Sequence, residues 1–121
     1  MQPSLNKLMI IGDRVLIRPR EQDEKTASGL FLPPGVREKE KIQSGYVMKV
    51  GPGYPIPNPN GELEAWKQED PVKYLPLQVR PGDLAIFIQK EGYEVLYQSQ
   101  KYYIVPQNAI LMIEREDDLD A

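Results

Sequence analysis

The apolar residues of this chain come in short runs, most of them closed within a few positions by glycine or proline. With 12 prolines and 9 glycines among 121 residues, no long stretch keeps helical periodicity, because proline removes a backbone donor and ends a helix. Runs of this length between turn signals have the dimensions of strands. Short strands at close spacing point to a barrel or a sandwich.

Met9 to Arg18 reads as the first strand, with Gly12-Asp13 as a bulge or bend and Pro19 ending it or placing it at an edge. Gly45 to Val50 is the second, closed by Gly51-Pro52-Gly53. After the turn Pro81-Gly82-Asp83, Leu84 to Ile88 is apolar on both faces and reads as a buried strand. Tyr93, Val95 and Tyr97 alternate with polar neighbours. Lys101 to Val105 and Ala109 to Ile113 are two more strands, parted by Pro106-Gln107-Asn108. One domain, residues 1–121, accounts for the chain. The strands after the Pro-rich segment are too few to fold alone.

Two segments stand outside this pattern. Residues 21–44 carry charge runs on both sides of Ser28-Gly29-Leu30-Phe31-Leu32-Pro33-Pro34-Gly35. Flanks this polar bury little apolar surface, so the region from Arg20 to Ser44 is expected to be mobile. By pattern alone, Leu30-Phe31-Leu32 is equally a short core strand or an exposed recognition segment. Its charged surroundings favour an apolar cluster that folds on binding. Residues 54–78 are Pro-rich and hold the one tryptophan, Trp66. Asn60-Gly61 suits a type I′ turn, which favours an elaborated hairpin. A short helix over Glu62–Asp70 is the alternative. The acidic residues 115–121 read as a frayed tail.

Composition removes several chemistries. The chain has neither cysteine nor histidine, so thiol nucleophiles, disulfides, thiolate metal sites and an imidazole base are excluded. Asp13 and Asp83 each follow a glycine and read as turn residues, not as a catalytic pair. Glu116, Asp117, Asp118 and Asp120 lack the spacing of a calcium loop. Pro52 spoils Gly51-Pro52-Gly53 as a phosphate nest. No catalytic residue, metal site or cofactor is expected. Fifteen basic and 18 acidic residues leave a net charge of −3, a poor match for nucleic acid or an anionic membrane. Tyr46, Phe87, Tyr93, Tyr97, Tyr102 and Tyr103 are the candidates for stacking bases on a barrel. Without interleaved basic residues, core and subunit contacts are the better reading. Leu8 to Ile11 is too short for a secretion signal or a membrane span, so a cytoplasmic protein is expected.

Taken in order, the motifs resemble those of the GroES-type co-chaperonins. Asp13-Arg14-Val15-Leu16-Ile17 is similar to that family's first strand. Thr26-Ala27-Ser28-Gly29-Leu30-Phe31-Leu32-Pro33 resembles its mobile loop. Gly45-Tyr46-Val47-Met48-Lys49-Val50-Gly51 resembles its Gly-x-Val-x-x-Val-Gly strand, and Val79-Arg80-Pro81-Gly82-Asp83 its Val-x-x-Gly-Asp turn. Tyr103-Ile104-Val105 and Ile110 to Glu114 resemble its closing strands. The resemblance implies an all-β fold: a small, partly irregular GroES-like barrel with a mobile loop in residues 21–44 and an enlarged roof hairpin in residues 54–78. It implies a seven-membered homo-oligomeric ring in which the first strand of one subunit pairs with the last of its neighbour. It also implies that the ring caps an ATP-bound chaperonin, with Ser28, Gly29, Leu30, Phe31 and Leu32 as the chaperonin-binding residues. Hydrolysis would belong to the partner. Ser28 stands where the family has a glycine, and Phe31 where it commonly has an aliphatic residue. Three alternatives from the same residues are a GroES-like ring with another partner, a nucleic-acid-binding barrel, and the barrel of a zinc-dependent dehydrogenase. The last lacks its Cys and His ligands here.

Overall fold

The computed structural model describes residues 4–20, 42–56 and 73–116. They form eight strands: β1 (Arg14–Pro19), β2 (Ile42–Val50), β3 (Tyr54–Pro55), β4 (Tyr74–Leu75), β5 (Leu84–Ile88), β6 (Tyr93–Tyr97), β7 (Gln100–Pro106) and β8 (Ile110–Glu114). Six make one antiparallel sheet in the order β6-β7-β1-β2-β5-β8, and β3 pairs with β4. The fold is all-β, as expected.

This sheet cannot be flat. β7 and β8 lie four places apart in the ladder, roughly 19 Å at the usual strand spacing. The three residues Gln107–Ala109 that join them span at most about 14 Å fully extended. β5 and β6 are also four places apart, joined by a tight 3-10 turn at Gln89–Glu91 and Gly92. Both links require the sheet to roll, as a GroES-like barrel does. Register shifts bend the strands where this is needed, between Leu16 and Ile17 of β1 and between Ile86 and Phe87 of β5. The roll brings β5 onto β7: the Phe87 and Tyr103 rings meet with centroids 5.5 Å apart, and Gln89 Nε2 donates to the Tyr103 hydroxyl at 3.0 Å. Val15, Ile17, Val47, Val79, Ala85, Phe87, Tyr103, Val105 and Ala109 form the buried core.

Two strand starts differ by three or more residues from those expected. β1 begins at Arg14, not Met9, because the chain turns at Gly12 (φ 67°). Gly53 N donates to Gly12 O and Gly51 N to Arg14 O. Gly51 sits so close to Gly12 that a Cβ would collide with the Gly12 carbonyl. Met9–Ile11 therefore lies before the sheet. β1 ends at Pro19 as expected, but it is not an edge: β2 flanks it on one side and β7 on the other. β2 begins at Ile42, three residues inside the segment expected to be mobile, because β5 supplies partners at Ile86, Phe87 and Ile88.

The ends of the Pro-rich segment pair as a hairpin's would, Tyr54 with Leu75 and Pro55 with Tyr74. The expected Asn60-Gly61 turn and the alternative helix over Glu62–Asp70 lie outside the described residues.

The β6–β7 turn places Gln98 (φ 51°) and Ser99 (φ 69°) both in the left-handed region, the geometry of a type I′ turn that normally selects Asn-Gly. A left-handed conformation costs an ordinary residue about 1–2 kcal/mol. Replacing Gln98-Ser99 by Asn-Gly is expected to stabilise the protein by about 1 kcal/mol in urea unfolding. An unchanged or lower midpoint would mean that this turn is not strained.

Candidate functional site

The candidate binding residues Ser28, Gly29, Leu30, Phe31 and Leu32 lie outside the described residues. The structure does describe the stem on either side of that segment, the paired ends of β1 and β2. β1 and β2 run together as far as Pro19 opposite Gly45. One residue further, Arg20 N donates to Ser44 O at 2.9 Å, and Arg20 Nε donates to Ser44 Oγ at 3.1 Å. Arg20 is only 5% exposed and Ser44 4%. A buried guanidinium must be hydrogen-bonded to be tolerated, so this pair ties the residue after β1 firmly to β2. Arg20 was expected to open a mobile flank. It is instead buried and bonded to Ser44, since burial of one arginine in a run of charges is set by tertiary packing.

Behind this pair, Arg18 stacks on the Tyr46 ring with its guanidinium carbon 5.4 Å from the centroid. Burial pushes the Tyr102 phenol above the ordinary 10.0; the Arg18 guanidinium opposes that shift, and Tyr97 adds to it. Tyr102 therefore stays protonated through the neutral range. Gly45 permits the closest approach of the two stem strands, for a Cβ there would lie 2.6 Å from both Arg18 O and Ile17 Cγ2.

Asp83 does the work of a turn residue, as expected. It is 2% exposed. Its carboxylate accepts from Arg80 N at 2.8 Å and from Arg115 through Nε at 2.8 Å and a terminal nitrogen at 2.7 Å. That forked ion pair, with Arg115 also bonded to Gln78 O at 3.0 Å, secures the chain just past β8 and leaves the carboxylate committed to structure. Asp13 serves through its backbone, its carbonyl accepting from Gln107 N at 2.9 Å. Among the described residues no cluster of His, Cys, Asp or Glu could hold a metal ion. Phe87, Tyr102 and Tyr103 are buried and offer no face to a base. No described helix is long and apolar enough to cross a membrane.

A second surface concerns the two ends of the chain. Leu8 and Ile10 are half-buried, while Met9 (82%) and Ile11 (66%) face outward. Among the described residues β8 is paired on one side only, with β5, and it exposes Leu111 and Met112. An open strand edge with apolar residues invites a further strand.

A family model described as the chaperonin 10 Kd subunit, Cpn10, matches residues 7–113. The co-chaperonin GroES of Listeria innocua is 39% identical over 105 residues, covering 87% of this chain and 96% of that protein. The co-chaperonin GroES of Coprothermobacter proteolyticus is 36% identical over 103 residues, 85% of this chain and 90% of its own. That of Bifidobacterium longum subsp. infantis is 33% identical over 107 residues, 88% and 95%.

The stem makes a specific demand on Gly45. Gly45→Ala forces a methyl against the Arg18 carbonyl and is expected to cost about 1–3 kcal/mol, seen as a lower urea midpoint. Wild-type stability in this variant would show that the strands can separate freely at the stem.

Proposed function

This chain belongs to the chaperonin 10 kDa subunit family and is a co-chaperonin, and we propose that it forms a seven-membered ring that caps a chaperonin holding ATP. The observation that carries the reading is similarity to named co-chaperonins along nearly the whole chain, including 39% identity over 87% of it to the Listeria innocua protein. In this reading the protein is cytoplasmic and non-catalytic. It needs no cofactor, and nucleotide hydrolysis belongs to the chaperonin.

Two surfaces divide the work. Residues 9–11 of one subunit meet the open edge of β8 in its neighbour, which covers Met9, Ile11, Leu111 and Met112 together. Repetition of that head-to-tail contact closes a ring. The segment launched from the Arg20–Ser44 stem carries Ser28, Gly29, Leu30, Phe31 and Leu32 to the chaperonin. Fully burying Leu30, Phe31 and Leu32 is worth roughly 1.5–3 kcal/mol each, while fixing backbone on binding costs about 1–2 kcal/mol per residue. One segment alone therefore binds weakly, and a ring gains through the effective concentration of its copies.

Changing Leu30, Phe31 and Leu32 together to Ser is expected to abolish ATP-dependent co-elution with a chaperonin while leaving the sedimentation coefficient of the free ring unchanged. A triple variant that still co-elutes would remove these residues from the contact. One that no longer folds would return them to the core.

A further inference from the structure

Lys49 makes a contact that neither barrel packing nor chaperonin binding requires. It stands in β2 opposite Leu16, next to the place where the β1–β2 ladder passes over Met48. A bulge of this kind re-aims the side chains beside it. The Lys49 ammonium reaches the N-terminal segment and donates to Leu5 O at 2.9 Å and to Leu8 O at 2.6 Å. These carbonyls bracket a tight turn that Leu8 N closes onto Leu5 O at 3.0 Å. Beyond the turn comes the alternating stretch in which Leu8 and Ile10 face the body and Met9 and Ile11 face out.

The arm formed by residues 5–11 is thus tied at both ends. At its far end Gly12 O accepts from Gly53 N. At its near end the tie is the Lys49 ammonium, a point charge with three donors that satisfies two carbonyls at once. An apolar side chain at position 49 would fill similar space but leave the turn without its donor.

We propose that Lys49 is a positioning residue for assembly: it holds the arm so that Met9 and Ile11 are presented, already ordered, to the β8 edge of a second copy. The inference rests on the ring reading above. Its physical content is preorganisation. An arm fixed before contact loses less conformational freedom on association than a frayed one.

The test uses the full-length wild type, Lys49→Met and Lys49→Arg. Sedimentation over a dilution series gives the concentration of half-assembly, and hydrogen exchange by mass spectrometry gives the protection of residues 5–12 and of the core strands. Lys49→Met is expected to raise the half-assembly concentration about tenfold, the worth of one charge-assisted hydrogen bond per subunit contact. It should speed exchange in the arm with no change in β1 or β7. Lys49→Arg, which keeps a cationic donor, should recover most of both. Lys49→Met that assembles like the wild type with an equally protected arm overturns the proposal, as does loss of protection throughout the barrel. A wild type that is monomeric at every concentration would defeat the ring reading and, with it, the assembly role. Faster arm exchange in Lys49→Met would still mark the tie itself.

Discussion

Three residues between β7 and β8 govern this structure. Strands that are four places apart in the ladder cannot be joined by Gln107–Ala109 unless the sheet rolls. Once it rolls, the side chains of β1, β2, β5 and β7 face one another, and Phe87 can lie against Tyr103. The link is itself well held. Gln107 N donates to Asp13 O, and Gln107 Oε1 accepts from Gln78 N and Val79 N at 2.7 and 3.2 Å. One residue thereby ties the entry to β1 and the approach to β5 to the turn into β8. Asp83 completes the closure from the other side by gripping Arg115.

That closure decides which parts of the chain remain for partners. β1 is consumed by two neighbours, so the proposed N-terminal contact between copies falls to the arm before Gly12. Among the described residues β8 has β5 on one side and an open edge on the other. Arg20 and Ser44 are fixed to the same body, and Arg20 continues directly from β1, which has a strand on each side. The proposed cap needs a stiff body with separate surfaces for its own copies and for its partner, and the doubly flanked strands β1, β2 and β5 supply the stiffness.

Much of the fold was legible in the sequence. The main strands announced themselves as short apolar or alternating runs, several of them ended by Gly or Pro, and that information is local. Asp83 was readable as a turn residue for the same reason. What was not legible depends on contacts distant in sequence. β2 extends back to Ile42 because β5 offers partners there, and nothing between Lys41 and Ser44 signals it. Arg20 looks like its charged neighbours until Ser44 is brought beside it. Met9–Ile11 has the composition of the strand that follows, and only the close approach of Gly51 to Gly12 shows why the strand starts later. Lys49 reads as an ordinary strand lysine until the arm folds over it. For Leu30-Phe31-Leu32, local pattern left core strand and recognition segment equally open. The binding role comes from the resemblance of the surrounding motif and rests there.

The central claim is that this protein caps a chaperonin, and electron microscopy of the two proteins mixed tests it most directly. With ATP present, chaperonin particles should carry a seven-fold dome at one end, and without nucleotide the ends should be bare. Bare chaperonin ends in the presence of ATP, with this protein intact and assembled in the same sample, would contradict the account.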